Sequence, residues 1–190
     1  MVGMASASSP SAGGPGRGTG PGSDAGAAAE AIAAALRTGA FDPQHAGELF
    51  LRAGAERAVR AALGPGARIA VAGRDEAGVR AVTFMGARFS PDLVVETAAG
   101  GRVAVTITLL RGDSGPVAGA LANALVLSGR YQAVVAFVLD RRLARRDPFG
   151  DAGEAPAARE LNDTERAFLD QLWQRHSVRV EVRRQDPFGW

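Results

Sequence analysis

The chain has 190 residues, 46% of them hydrophobic, and no cysteine. That length suits one domain with a tail, and the missing thiol excludes disulfides, thiol catalysis and cysteine-ligated zinc. All 22 basic residues are arginine, which removes any mechanism that needs a lysine ammonium, and the net charge of +2 is mild. It persists above neutrality, hence a pI near 10.2, because without lysine or cysteine almost nothing titrates there.

Residues 1–23 are a low-complexity run of Ser, Gly, Ala and Pro, expected to be a disordered tail with no apolar signal-peptide core. Asp24 is the expected cap of an alanine-rich helix that runs to Arg37 and ends at Gly39. That helix is interrupted by Glu30 and is too short to span a bilayer. A cytoplasmic location with no membrane association is therefore expected. Residues 24–41 read as a helix and linker, residues 42–184 as a single α/β domain, and 185–190 as a C-terminal tail.

The domain is expected to open with a helix over Pro43–Leu63, with Asp42 as N-cap and Gly64-Pro65 as its stop. Its apolar face collects Leu51, Gly54, Ala55, Ala58 and Ala62, with Arg52, Glu56 and Arg60 on the opposite side. Four short runs rich in Val, Ile, Phe and Thr follow: 68–72, 79–85, 88–96 and 102–110. The turn Ala99-Gly100-Gly101 makes the last two a hairpin. A helix over Pro116–Leu127, with Ser114 as its cap, precedes Gln132–Leu139, whose unbroken apolar character predicts a strand buried on both faces. A charged connection over 141–160 leads to a helix that starts at Asn162. Glu165 is in capping-box position there, and Phe168, Leu169, Leu172 and Trp173 form one stripe. Val178–Val182 alternates as a closing strand. A mixed sheet flanked by helices is the packing this order predicts.

The order α-β-β-β-α-β, with Pro91-Asp92 opening one strand and a Gly-Gly turn before the next, resembles the PD-(D/E)XK nuclease superfamily over residues 42–140. The resemblance implies a restriction-endonuclease-like core. In that family Pro-Asp is followed, on the next strand, by an acidic residue and a lysine two positions apart, which the pleat places on one face beside the aspartate. The carboxylates hold a divalent metal, usually magnesium, that activates water and stabilises the transition state. Here Asp92 matches the first position as the metal ligand. The acidic and lysine positions fall on Thr106 and Thr108, neither of which supplies a charge. Arg111 is a poor stand-in for the lysine. Glu96, two pleats from Asp92, is too distant to share its ion. Glu48 and Glu56 are the candidates for the glutamate that the family adds from its first helix, although Arg52 and Arg60 flank Glu56 at ion-pair spacing.

The catalytic end of the motif is therefore incomplete. The reading that follows is a catalytically degenerate nuclease-fold protein without a cofactor, accessory to DNA processing or defence through nucleic acid or a nuclease partner. An active magnesium-dependent nuclease built on Asp92 is the second reading, and a pure protein-interaction module the third. Arg141, Arg142, Arg145 and Arg146 form the densest basic cluster and are the expected phosphate contacts. Phe188, in the second of two Asp-Pro-Phe-Gly repeats, and Trp190 directly after that repeat are the expected partner contacts. His45 and His176 lack metal-ligand spacing.

Overall fold

The computed structural model describes residues 22–41, 47–110, 117–140 and 161–184. Helices α1 (Asp24–Thr38) and α2 (Glu48–Leu63) come first. Strands β1 (Arg68–Val71), β2 (Val82–Phe84), β3 (Ala87–Phe89), β4 (Leu93–Glu96) and β5 (Arg102–Leu110) follow. Then come α3 (Ala118–Ser128), β6 (Ala133–Asp140), α4 (Asp163–His176) and β7 (Val178–Arg184).

Five strands form one mixed sheet in the order β1-β4-β5-β6-β7, and β2 and β3 form a separate ribbon. The first two neighbour pairs are antiparallel and the last two parallel. The parallel pairs need crossovers, which α3 and α4 supply. Strand β6 is buried along its whole length, as its apolar run predicts.

The pleat divides the core in two. Val95, Val103, Val105, Val135, Phe137 and Leu139 face α1 and α2, where Phe137 stacks on Phe41 at 5.3 Å. Val94, Ala104, Val134, Ala136, Val178 and Val180 face Ala124 and Leu127 of α3 and Leu172 of α4.

Several boundaries differ from the sequence expectation. Ser23, not Asp24, caps α1: its hydroxyl accepts the Gly26 N–H at 3.0 Å. The Asp24 carboxylate instead accepts a hydrogen bond from the Thr97 hydroxyl in the β4–β5 turn. A Cβ at Gly101 would lie 2.8 Å from the Asp24 Oδ2, so a larger residue there would displace that carboxylate. Helix α2 starts at Glu48 with Gly47 as its cap; Asp42, Pro43 and Ser114 lie outside the described residues. Val59 replaces Ala62 in the α2 apolar face, and Ala62 is exposed.

The run 88–96 is two strands, not one. Pro91 has no N–H and Ser90-Pro91-Asp92 breaks the ladder, so β3 pairs back on β2 while β4 pairs with β5 over Leu93–Glu96. Helix α1 is also more than an appendage to residues 42–184. Ala25, Ala28, Ala29, Ile32, Ala33 and Leu36 are all buried in the core. Asn162 and Glu165 do form the capping box of α4, but Phe168 remains 48% exposed while Leu172 and Trp173 are buried. Among the described residues no helix is long and apolar enough to cross a membrane.

Candidate functional site

Strand β4 stops pairing at Leu93↔Val105, while β5 continues to Leu110. The next β5 amide that points toward β4, that of Ile107, would have no strand partner. Asp92 supplies one: its Oδ2 accepts the Ile107 N–H at 2.7 Å. Its other oxygen accepts from Arg52 Nε on α2, also at 2.7 Å. Both oxygens of the motif aspartate therefore bind groups of the fold itself.

Continuing the ladder would place Asp92 opposite Thr106, yet its backbone N–H donates to the Val105 carbonyl at 2.8 Å. Asp92 and Leu93 thus share one residue of the partner strand, the arrangement of a β-bulge, in which the alternation of side chains fails. The Asp92 carboxylate turns to the α2 side. Thr106 and Thr108 keep the parity of Ala104 and face α3. The expectation that Asp92, Thr106 and Thr108 share a face is corrected on this point, because the pleat rule behind it does not hold across a bulge. Thr106 is 1% exposed, and its hydroxyl has no hydrogen-bond partner among the described residues.

Glu56 lies one helical turn from Arg52 on α2, on the same side as Asp92. It accepts from Arg74 at 2.8 and 3.1 Å and from Arg60 at 3.0 Å. The Arg74 hydrogen bond, assisted by Arg60, holds the Glu56 carboxyl below its usual range despite partial burial. Arg74 also donates to Asp75 at 3.2 Å, and Asp75 accepts the Val71 N–H at 3.1 Å. That backbone hydrogen bond is the main reason the Asp75 carboxyl is also held low. Three arginines (Arg52, Arg60 and Arg74) thus pair with three carboxylates (Glu56, Asp75 and Asp92) between α2, the end of β1 and the start of β4.

The structure thus brings Asp92 and Glu56 to one side and leaves Thr106 and Thr108 on the other. Glu96 is exposed at the far end of β4. Glu48 opens α2, but its side chain lies outside the described residues, as do Arg111, Arg141, Arg142, Arg145, Arg146, Phe188, Trp190 and His45. Sequence reasoning missed Arg74 and placed Arg52 on the exposed side of α2. The available signal was that Arg52 borders the Leu51–Ala55 face, so a modest rotation turns it inward. As a divalent-metal site the arrangement fits poorly. Magnesium needs carboxylate oxygens facing it, and those of Asp92 already face an amide and a guanidinium.

The protein is a mixed α/β chain with a five-stranded mixed sheet flanked by helices. A scan against protein-family models, a search of curated proteins and a search of solved structures each returned no match.

Proposed function

We propose that the chain is a non-catalytic protein of nuclease-like architecture that binds nucleic acid as an accessory subunit in DNA processing or defence. The observation that carries this reading is the use of Asp92, where the resembled motif needs a metal ligand. Here one carboxylate oxygen caps a strand amide and the other holds Arg52. The two threonines at the next motif positions add no charge, and the pleat turns them toward α3. The antiparallel β1-β4-β5 part of the sheet, with the α3 crossover to parallel β6, supports the architectural part of the reading.

The test is direct. Purified protein with magnesium or manganese is expected to cut neither double- nor single-stranded DNA above background, while binding DNA in a salt-sensitive way. Metal-dependent cleavage that Asp92→Ala abolishes would overturn the reading in favour of an active nuclease. Retained association with protein but none with nucleic acid would leave an interaction module. The double change Thr106→Glu with Thr108→Lys is expected to create no metal site, since both positions face away from the Asp92 carboxylate.

A further inference from the structure

The β2–β3 ribbon belongs neither to the main sheet nor to the arginine–carboxylate cluster. Its register is Val82↔Phe89, Thr83↔Arg88 and Phe84↔Ala87. Alternation places Val82, Phe84, Ala87 and Phe89 on one face and Thr83 and Arg88 on the other. At the base, Val82 and Phe89 pack against the core beneath α3. At the tip the same apolar face is uncovered: Phe84 is 53% exposed and Met85 90%.

The tip turn has two residues, Met85 and Gly86, with φ of 48° and 80°. Such a turn favours Asn or Gly at its first position, because a side chain resists positive φ. A methionine held there, in solvent and beside a phenylalanine, is not part of the core formed by the described residues.

The surroundings are basic. Residues 77–91 contain Arg80 and Arg88 and no carboxylate. The Arg80 carbonyl accepts the Tyr131 hydroxyl at 2.7 Å, and the residue before Tyr131 is the exposed Arg130. Arg102 lies over the Tyr131 ring at 5.7 Å. By contrast, the arginines near Asp92 are matched by carboxylates, and the groove beside β7 holds Asp170 and Glu181 among its arginines.

We propose that the ribbon is a duplex-DNA contact. Phe84 and Met85 sit against base edges in the major groove, and Arg80, Arg88 and Arg130 hold the flanking phosphates. A two-stranded ribbon fits the B-form major groove, whereas the deep, narrow groove of A-form RNA excludes it. This inference rests on the accessory nucleic-acid reading and names the surface that performs it.

The full chain is titrated into a labelled DNA duplex, with fluorescence anisotropy as the readout at several salt concentrations. Phe84→Thr combined with Met85→Asn keeps a strand former and a turn former while removing the apolar tip. It is expected to weaken binding at least about fivefold with little change in salt slope, at unchanged or raised melting temperature. Met85→Gly, which suits the turn outright, is expected to weaken binding in the same direction. Arg80→Gln with Arg88→Gln is expected to lower the salt slope by about two, at roughly 0.9 per phosphate contact. Wild-type affinity in the tip variants would overturn the ribbon while leaving the accessory reading in place. Binding to duplex RNA as tight as to DNA would also overturn the ribbon. Failure of the wild-type chain to bind any nucleic acid at low salt would overturn both.

Discussion

Asp92 connects three elements with one side chain: it ends the β4 ladder, satisfies an amide on β5 and anchors α2 through Arg52. Asp92→Ala leaves the Ile107 N–H without an acceptor and removes the α2 contact, at a cost of about 1–3 kcal/mol. Asp92→Asn keeps one acceptor oxygen for that amide and is expected to lose less. Urea denaturation midpoints check the order, and an alanine variant as stable as the asparagine one would refute the capping role. Pro91-Asp92 stands out in the sequence as a motif, although the run 88–96 around it reads as one strand. The direction of its carboxylate does not, because a bulge depends on how two strands meet, and residue alternation within one strand contains no sign of it.

Helix α1 illustrates the same division at the level of elements. Its local signals are legible: a serine before the first turn, alanines with high helix propensity, and a glycine after the last. Each alanine buries little area, yet small side chains let the helix lie close on the sheet, with Ile32 and Leu36 fully buried. Ile32→Ala is expected to cost about 2–5 kcal/mol, as for a core position. A loss below about 0.5 kcal/mol, the scale of a surface change, would show α1 to be dispensable. The charged side of β7 fits this placement. Arg37 forms a two-point pair with Glu181 at 2.7 and 2.8 Å. Arg183 donates to the Gly39 carbonyl and lies over the Phe41 ring. Arginines along β7 also suit an edge strand, where charge discourages pairing with another sheet.

For the whole molecule, the depressed carboxyls predict how stability depends on pH. Glu56 is held low chiefly by Arg74, and Asp75 by the Val71 amide. The folded state therefore binds these protons more weakly than the unfolded chain, whose carboxyls titrate near pH 4. The stabilisation is complete above about pH 5 and is lost as pH falls through the lower folded values. Glu56→Gln is expected to flatten the acid limb of the stability curve, measured by denaturant titration at a series of pH values. An unchanged limb would mean that the Glu56 pairs contribute nothing. Salt is expected to shrink the Arg74 contribution, because Arg74 is largely exposed.

The sequence by itself determined the elements: the N-terminal cap of α4, the fully buried β6, the nine-residue β5, and with them the α/β class. Each depends on neighbours a few positions apart, through alternation and capping, so each is written locally. Only the tertiary structure decided which groups meet. Arg52 and Asp92 are 40 residues apart, and Arg37 and Glu181 are 144 apart. An arginine reaches any carboxylate that the fold brings within a few ångströms, and nothing in its local sequence selects that partner. The same holds for the bulge that separates Asp92 from Thr106 and Thr108, and for the ribbon that leaves Phe84 and Met85 in solvent. Strand pairing fixes these arrangements, and pairing is a property of distant segments packed on a common core.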